Sequence, residues 1–464
     1  MTEDLRAKSV PRGRRVAGLR WPLALVVVTL ALILVGIPSS AAVGSGGAPT
    51  LTIPLPIQLP IPLPIIGEAS GQGGAPVPTT PTPTTTTPAY PVEPYPVAPP
   101  AANPFTGKAM WIWEIPASSG GDLATVIATA KQYGEGTLII KSSDGTQPWS
   151  QFSRAMVATV RDAGLQVCAW QYVYGRHPAD EARLGAGAVR EGASCLVIDA
   201  EGEYQGRYYA AQRYMSLLRQ QLGTRFPIGL AGLPYIDYHP AFPYSVFLGP
   251  GGAEYNLPQM YWRDIGTTVD DVYAHTYLYN RLYLRPIYPL GQLFSSPPRR
   301  QIVRFRQLAS AYGADGVSWW DYQEATGSNW RAIEAPTPTL SGFVADPQVA
   351  TVSRGSKGDL VVWAQEHLYA AGDHVHVDGV FGPLTQAAVE TFQYAHGLPS
   401  TGAIDPTTWT ALLKYQPVTV NWAAHSKRNG IARAASVSRS TTPPPESASL
   451  PGRNEFRVQV GQGG

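Results

Sequence analysis

Cysteine is almost missing from this chain: among 464 residues there are two, Cys168 and Cys195. So low a count excludes a scaffold stapled by several disulfides, and no Cys/His pattern with zinc-ligand spacing accompanies them. One bridge is open to an exported protein, since strands on either side of a helix can lie adjacent. The expected state is nonetheless two buried thiols, because both sit in apolar strand-like runs of a domain large enough to do without a staple. Charge is scarce too, with 15% of residues charged and a formal net charge of +2. No basic stripe exists to hold a phosphate backbone, which excludes nucleic acid as a partner. No glycine-rich phosphate loop follows the first strand-like run, which argues against a dinucleotide-binding sheet. Neither a metal nor an organic cofactor is expected. Long apolar runs are lacking as well: the N-terminal one, Leu23 to Ile37, has about fifteen residues where a spanning helix needs about twenty.

That run follows Arg6, Lys8, Arg12, Arg14, Arg15 and Arg20 and precedes Pro38-Ser39-Ser40-Ala41-Ala42. Basic, apolar and small residues in that order form an export signal. Residues 1–42 are therefore read as a signal peptide cut after Ala41 or Ala42, with retention as an N-terminal membrane anchor as the alternative. Residues 43–104, with Pro78-Thr79-Thr80-Pro81-Thr82-Pro83 at their centre, cannot bury a core and read as an extended spacer. Residues 416–464 turn to Ser, Arg, Thr and Pro and read as a disordered tail. Two globular stretches remain, 105–335 and 350–415. The 12 Trp and 24 Tyr concentrate in the first, a composition suited to stacking on sugar rings as well as to ordinary packing.

In 105–335 short apolar runs recur, each followed by a helical pattern: Ala109 to Ile115, Thr137 to Lys141, Gln166 to Tyr172, Cys195 to Glu201, Pro227 to Gly232, Leu257 to Trp262, Arg285 to Leu290 and Gly316 to Asp321. Strands alternating with helices imply parallel pairing by crossover, and eight such units in about 230 residues is the size of a closed (β/α)8 barrel. The expected fold class is α/β, a TIM barrel followed by a small helical domain.

An active site in such a barrel lies at the C-terminal ends of the strands. The period of a strand puts Val197, Asp199 and Glu201 on one face of the fourth run, so two carboxylates end it on the axis side. Glycoside hydrolysis needs such a pair, one carboxyl protonated and one ionised, and proximity itself pushes the two pKa values apart. A buried pair held in an ion network is the structural alternative. The same placement nominates Glu114, Lys141 and Gln171 near the ends of the first three runs as substrate-binding groups. Gln259 and Tyr261 share one face of the sixth run, and Trp319 and Asp321 one face of the eighth. Lys141 either pairs with Asp199 or Glu201 or closes a structural salt bridge; Asp144 reads as a turn residue before Gly145. Tyr235, Asp237, Tyr238 and His239 form a loop that suits a sugar subsite and a rigid structural loop equally.

Two resemblances narrow these readings. Asp378-Gly379-Val380-Phe381-Gly382-Pro383-Leu384-Thr385 resembles the D-G-x-F-G-P-x-T turn of small peptidoglycan-binding modules, and the likeness extends from Arg354-Gly355-Ser356-Lys357-Gly358 to Thr408-Trp409 and Leu412-Leu413. It implies a three-helix domain whose partner is peptidoglycan. The barrel resembles the lysozyme-like muramidases that end a strand in D-x-E. Their V-I-I-K-A-T-E-G and G-L-x-V-G-A-Y patterns stand here as Leu138-Ile139-Ile140-Lys141-Ser142-Ser143-Asp144-Gly145 and Gly164-Leu165-Gln166-Val167-Cys168-Ala169-Trp170. That resemblance implies Glu201 as general acid and Asp199 as the group that stabilises charge or positions an acetamido group. It departs at the first strand, where Glu114 stands in for the family's Asp, and in the second half. Together they imply an exported, wall-bound monomer that cleaves β-1,4 glycosidic bonds. The alternatives are a non-catalytic glycan-binding or scaffolding barrel tethered to the wall, and a hydrolase of another envelope polysaccharide.

Overall fold

The computed structural model describes residues 103–424; the expected signal peptide, nearly all of the spacer and the tail beyond 424 lie outside the described residues. Its strands are β1 (Gly107–Ile112), β2 (Thr137–Asp144), β3 (Gln147–Pro148), β4 (Gln166–Val173), β5 (Cys195–Ala200), β6 (Ile228–Ala231), β7 (Tyr255–Asn256), β8 (Leu290–Gln292) and β9 (Gly316–Trp320). Eight run parallel in the order β7-β6-β5-β4-β2-β1-β9-β8, while β3 folds back antiparallel on the end of β2. Single parallel bridges, Asn256 to Ile287 and Gln259 to Leu290, join the two ends of that path, and the sheet curls into a (β/α)8 barrel. The sixth run, Leu257 to Trp262, lies just beyond its strand, which is confined to Tyr255–Asn256. Pro258 has no N–H to give to a ladder, Gln259 makes only the isolated bridge, and Trp262 already begins a helix.

The helices are α1 (Leu123–Gln132), α2 (Arg154–Asp162), α3 (Pro178–Arg190), α4 (Tyr208–Leu222), α5 (Tyr244–Phe247), α6 (Trp262–Ile265), α7 (Val269–Asn280), α8 (Arg299–Ala311) and α9 (Gly327–Glu334) in the barrel, then α10 (Asp359–Ala370), α11 (Pro383–Ala395) and α12 (Pro406–Leu412). Asp122, Ser153, Thr268 and Thr326 cap the helices that follow them through a side-chain oxygen. Strand residues divide by parity. Leu196, Ile198 and Ala200 of β5 join the apolar layer under the helices, while Cys195 and Val197 join a separate cluster inside the barrel with Trp111, Ile139 and Trp170.

The same parity corrects the expected state of the cysteines. Parallel pairing of β4 with β5 sets Cys168 directly beside Cys195, both facing inward with Cα atoms 4.5 Å apart, and they form a disulfide. Replacing both by alanine is expected to lower stability by about 3 kcal/mol in denaturant unfolding, because the bridge closes a loop in the unfolded chain.

One crossover is incomplete. Between β6 and β7 the helical layer has a single turn, α5, where the other units carry full helices. Helix α10, which belongs to the C-terminal module, lies over that gap and is buried along nearly its whole length. Fully buried Trp363 donates its indole N–H to the Leu282 carbonyl at 2.8 Å and packs on Tyr283 with ring centroids 5.3 Å apart. Asp359, also fully buried, accepts from the Ser245 N–H and hydroxyl, both at 2.8 Å, and from the Tyr283 hydroxyl at 2.7 Å. Residues 416–424, expected to begin a structureless tail, instead return to the barrel. The Trp422 ring stands 4.3 Å from that of Tyr208, and Gln212 holds the backbone of Val420 and Trp422.

Within the module a glutamine fastens each turn. Gln365 accepts from the N–H groups of Asp378 and Gly379 and donates to Asp378, Val380 and Thr385. Gln393 repeats the device, accepting from Gly402 N–H and donating to Thr401, Ala403 and Thr408. Gly379 has φ +71 and its missing Cβ would meet Val362 at 3.1 Å, so this turn is built for folding.

Burial raises several carboxyls, among them Asp359 to about 6, Asp321 to about 7 and Glu135 to about 8, from ordinary values of 3.8, 3.8 and 4.5. The folded chain thus keeps protons that the unfolded chain releases from about pH 4 upward, and stability must fall as pH rises through these folded values. Denaturant unfolding is expected to show lower stability at pH 8 than at pH 5, with a shallower slope in Asp359→Asn.

Candidate active site

β5 brings Asp199 and Glu201 to the C-terminal mouth of the barrel. Asp199 is buried, whereas Glu201 lies half-buried one residue past the strand, at the start of a 3-10 turn. Gln259 ties them together, its amide nitrogen lying 2.9 Å from Asp199 Oδ1 and 2.9 Å from Glu201 Oε1. The two carboxylate oxygens are therefore separated by no more than twice that distance. The second oxygen of Asp199 accepts from the Trp170 indole N–H at 2.9 Å. Burial, reinforced by the like charge of Glu201, holds the Asp199 carboxyl well above its ordinary range, while Lys141 and the Trp170 bond pull the other way.

Lys141 takes the structural option left open by the sequence. Its ammonium contacts Asp144 at 2.6 Å instead of either carboxylate of the pair, under the rings of Trp170 at 4.5 Å and Trp149 at 4.9 Å. Asp144 also accepts from the Tyr174 hydroxyl at 2.8 Å, so it ends β2 as an ion-pair partner and not as a simple turn residue. Tyr172 donates to Glu203 at 3.1 Å. Burial and the nearby Asp199 and Glu201 charges push the hydroxyls of both Tyr172 and Tyr261 upward, so both rings present protonated phenols.

The expected cleft residues do not all meet. Gln259, Tyr261 and Lys141 stand with the carboxylate pair. Gln171 does not: it is fully buried under the helices, donating to the Glu181 carbonyl at 2.7 Å and accepting from the Tyr214 hydroxyl at 3.0 Å. Its even-numbered neighbours Trp170 and Tyr172 take the inward places. Trp319 is corrected in the same way, because it packs outward on Phe305 at 5.3 Å while Trp320 faces in against Trp170 at 4.8 Å and Trp111 at 5.8 Å. Asp321 is buried just beyond Trp320 and accepts from the Glu324 N–H at 3.3 Å. Glu114 sits half-buried past the end of β1, where Trp113 is the side chain that packs on the inner cluster. The indole N–H groups of Trp111 and Trp113 are buried with no hydrogen-bond partner. Sequence reasoning missed Trp113, Trp149, Trp170, Tyr172 and Trp320 as cleft residues, although parity counted back from Asp199 through the β4–β5 register would have found Trp170 and Tyr172. Among the described residues no group of three or more His, Cys, Asp or Glu could hold a metal ion, and no helix is long and apolar enough to cross a membrane.

These features define the class: a (β/α)8-barrel protein with a carboxylate pair among aromatic rings at the strand ends and a docked three-helix module. Residues 357–412 match the family described as "Putative peptidoglycan binding domain". The chain belongs to the family of proteins that carry this domain. It is 31% identical over 125 residues to the "Zinc D-Ala-D-Ala carboxypeptidase" of Streptomyces albus G, a stretch covering 24% of this chain and 49% of that one. The "Uncharacterized protein in bpoA1 3'region" of Kitasatospora aureofaciens is 36% identical over 94 residues, 20% of this chain and 76% of its own length. The solved structure of the Bacillus cereus spore cortex-lytic enzyme SleL aligns with a TM-score of 0.39 and 12% identity, over 49% of this chain and 73% of that one. The chain spans about half the length of the carboxypeptidase that it matches.

Proposed function

We propose that this protein is an exported cell-wall glycan hydrolase that binds peptidoglycan through its C-terminal module and cleaves β-1,4 glycosidic bonds in the manner of a muramidase. The observation that carries the reading is the amide of Gln259 held at 2.9 Å from both Asp199 and Glu201. Two carboxyls held this close favour carrying one proton between them, because their like charges repel, and that is the state required for acid-assisted glycoside cleavage. Glu201, at the more open position, gives its proton to the oxygen of the leaving sugar. Asp199, buried, oriented by Trp170 and holding its proton more tightly than an ordinary carboxyl, positions a neighbouring acetamido group against the oxocarbenium-like centre. Water then completes the hydrolysis and returns a proton to Glu201. Oxygens each within 2.9 Å of one shared nitrogen lie closer together than the roughly 6.5 to 9.5 Å spacing of inverting pairs, which favours a mechanism without direct inversion. The ring-lined walls supply faces for sugar stacking.

The test is release of reducing ends from purified peptidoglycan by the full chain, with product ends identified by mass spectrometry. Sugar-to-sugar cleavage supports the reading. Binding to the wall with no release would leave a glycan-binding barrel and reject the hydrolase.

A further inference from the structure

The loop after β6 and helix α7 enclose an open groove of about 530 Å³. Tyr238 stands there with 60% of its surface exposed. It is nevertheless held firmly. Its ring meets Tyr235 edge-on at 5.2 Å and His275 edge-on at 5.4 Å, Tyr235 and His275 stack at 3.9 Å, and Asp237 binds His275 Nε2 at 2.7 Å. An exposed ring fixed by two others has already lost its rotamer freedom, so stacking a ligand on it costs little further entropy. Asp271 and Asp346 line the same groove and offer carboxylate oxygens to hydroxyl donors.

We propose that this groove is a second saccharide site, holding the glycan strand between the catalytic cleft and the binding module. Its course argues for that occupant. One end is Ile265 to Thr267, a few residues beyond Tyr261 of the cleft; the other is Leu278 and Asp346. There the linker runs along α7, with the Ala350 N–H on the Leu278 carbonyl at 2.9 Å, and leads into the module. From Val269 to Leu278 helix α7 spans about 14 Å at the rise of a helix, long enough for a short run of sugar rings in succession. Aromatic faces with flanking acceptors suit a neutral, hydroxyl-rich ligand better than an anionic one.

The proposal rests on the glycan reading of the cleft, and one experiment keeps the two apart. In the full chain carrying Glu201→Gln, calorimetry compares a dimer and an octamer of β-1,4-linked N-acetylglucosamine with and without Tyr238→Ala. The expected result is a roughly tenfold loss of octamer affinity, about 1.4 kcal/mol, with dimer affinity unchanged and with recovery in Tyr238→Trp. Because Tyr238 is mostly exposed, the variant is expected to fold, which a melting curve checks. Equal octamer affinity in both proteins, an equal loss for dimer and octamer, or no octamer binding at all would overturn the groove. Reducing-end release by the wild-type chain is scored separately, so absence of hydrolysis rejects the catalytic reading while the Tyr238 comparison still stands.

Discussion

Glu201→Gln is expected to lower the rate of reducing-end release from peptidoglycan by about a hundredfold to ten-thousandfold, the usual contribution of a positioned general acid. The amide is nearly isosteric and cannot give up a proton to the leaving sugar. Gln259 still has the buried Asp199 carboxylate to bond, so the fold should survive the change. Asp199→Asn is expected to lose activity comparably, for a different reason: it replaces the carboxyl that shares the pair's proton and removes the like charge that helps keep that proton on Glu201. Affinity for the wall should be unchanged in both variants, because the module lies outside the cleft. Release persisting at the wild-type rate in both would reject the site; loss of wall binding would point to damage beyond it.

Removal of the module is expected to do more than detach the barrel from its ligand. A chain ending after Glu334 would expose the surface over α5 that α10 now covers, together with the donors of Ser245 and Tyr283 that Asp359 satisfies. Loss of cooperative unfolding, or aggregation on expression, is the expected outcome. A milder version is Trp363→Ala in the full chain, which empties a fully buried site and leaves the Leu282 carbonyl without its donor. The expected cost is about 3 to 5 kcal/mol in denaturant unfolding, with barrel and module melting together. Two separate transitions, the barrel retaining its midpoint, would show instead that the module is an independent tether.

That outcome bears on how the wall module works. A module on a flexible linker raises the local concentration of a substrate without choosing its direction. A module that fills a gap in the barrel's own helical layer fixes the direction in which a bound strand leaves it. The linker between them therefore matters less for reach than its prolines, Pro336, Pro338 and Pro347, suggest, since the segment from Asp346 to Ala350 is already held by Arg281 and Leu278.

Much of the barrel was legible because its signals are local. Eight apolar runs separated by helical patterns, and the parity of Val197, Asp199 and Glu201, depend on periodicity alone. The errors came where two residues in a row were both suitable. Trp319 and Trp320 are equally aromatic, and only pairing of β9 with β1 and β8 decides that Trp320 turns inward. Gln171 lies between Trp170 and Tyr172, and a polar residue near a strand end looked like a cleft residue until the helices α3 and α4 claimed it. Pro258 was visible, yet its effect on β7 needed a partner strand whose ladder it interrupts.

The sequence by itself determined a barrel of alternating strands and helices, a carboxylate pair on one face of one strand, and a C-terminal module of recognisable turn chemistry, all properties of residues near one another in the chain. Only the tertiary structure decided that Cys168 and Cys195 are joined, that Gln259 spans Asp199 and Glu201, and that α10 completes the barrel. Each of these depends on strand register or on packing between segments far apart in sequence, and neither propensity nor spacing carries that information.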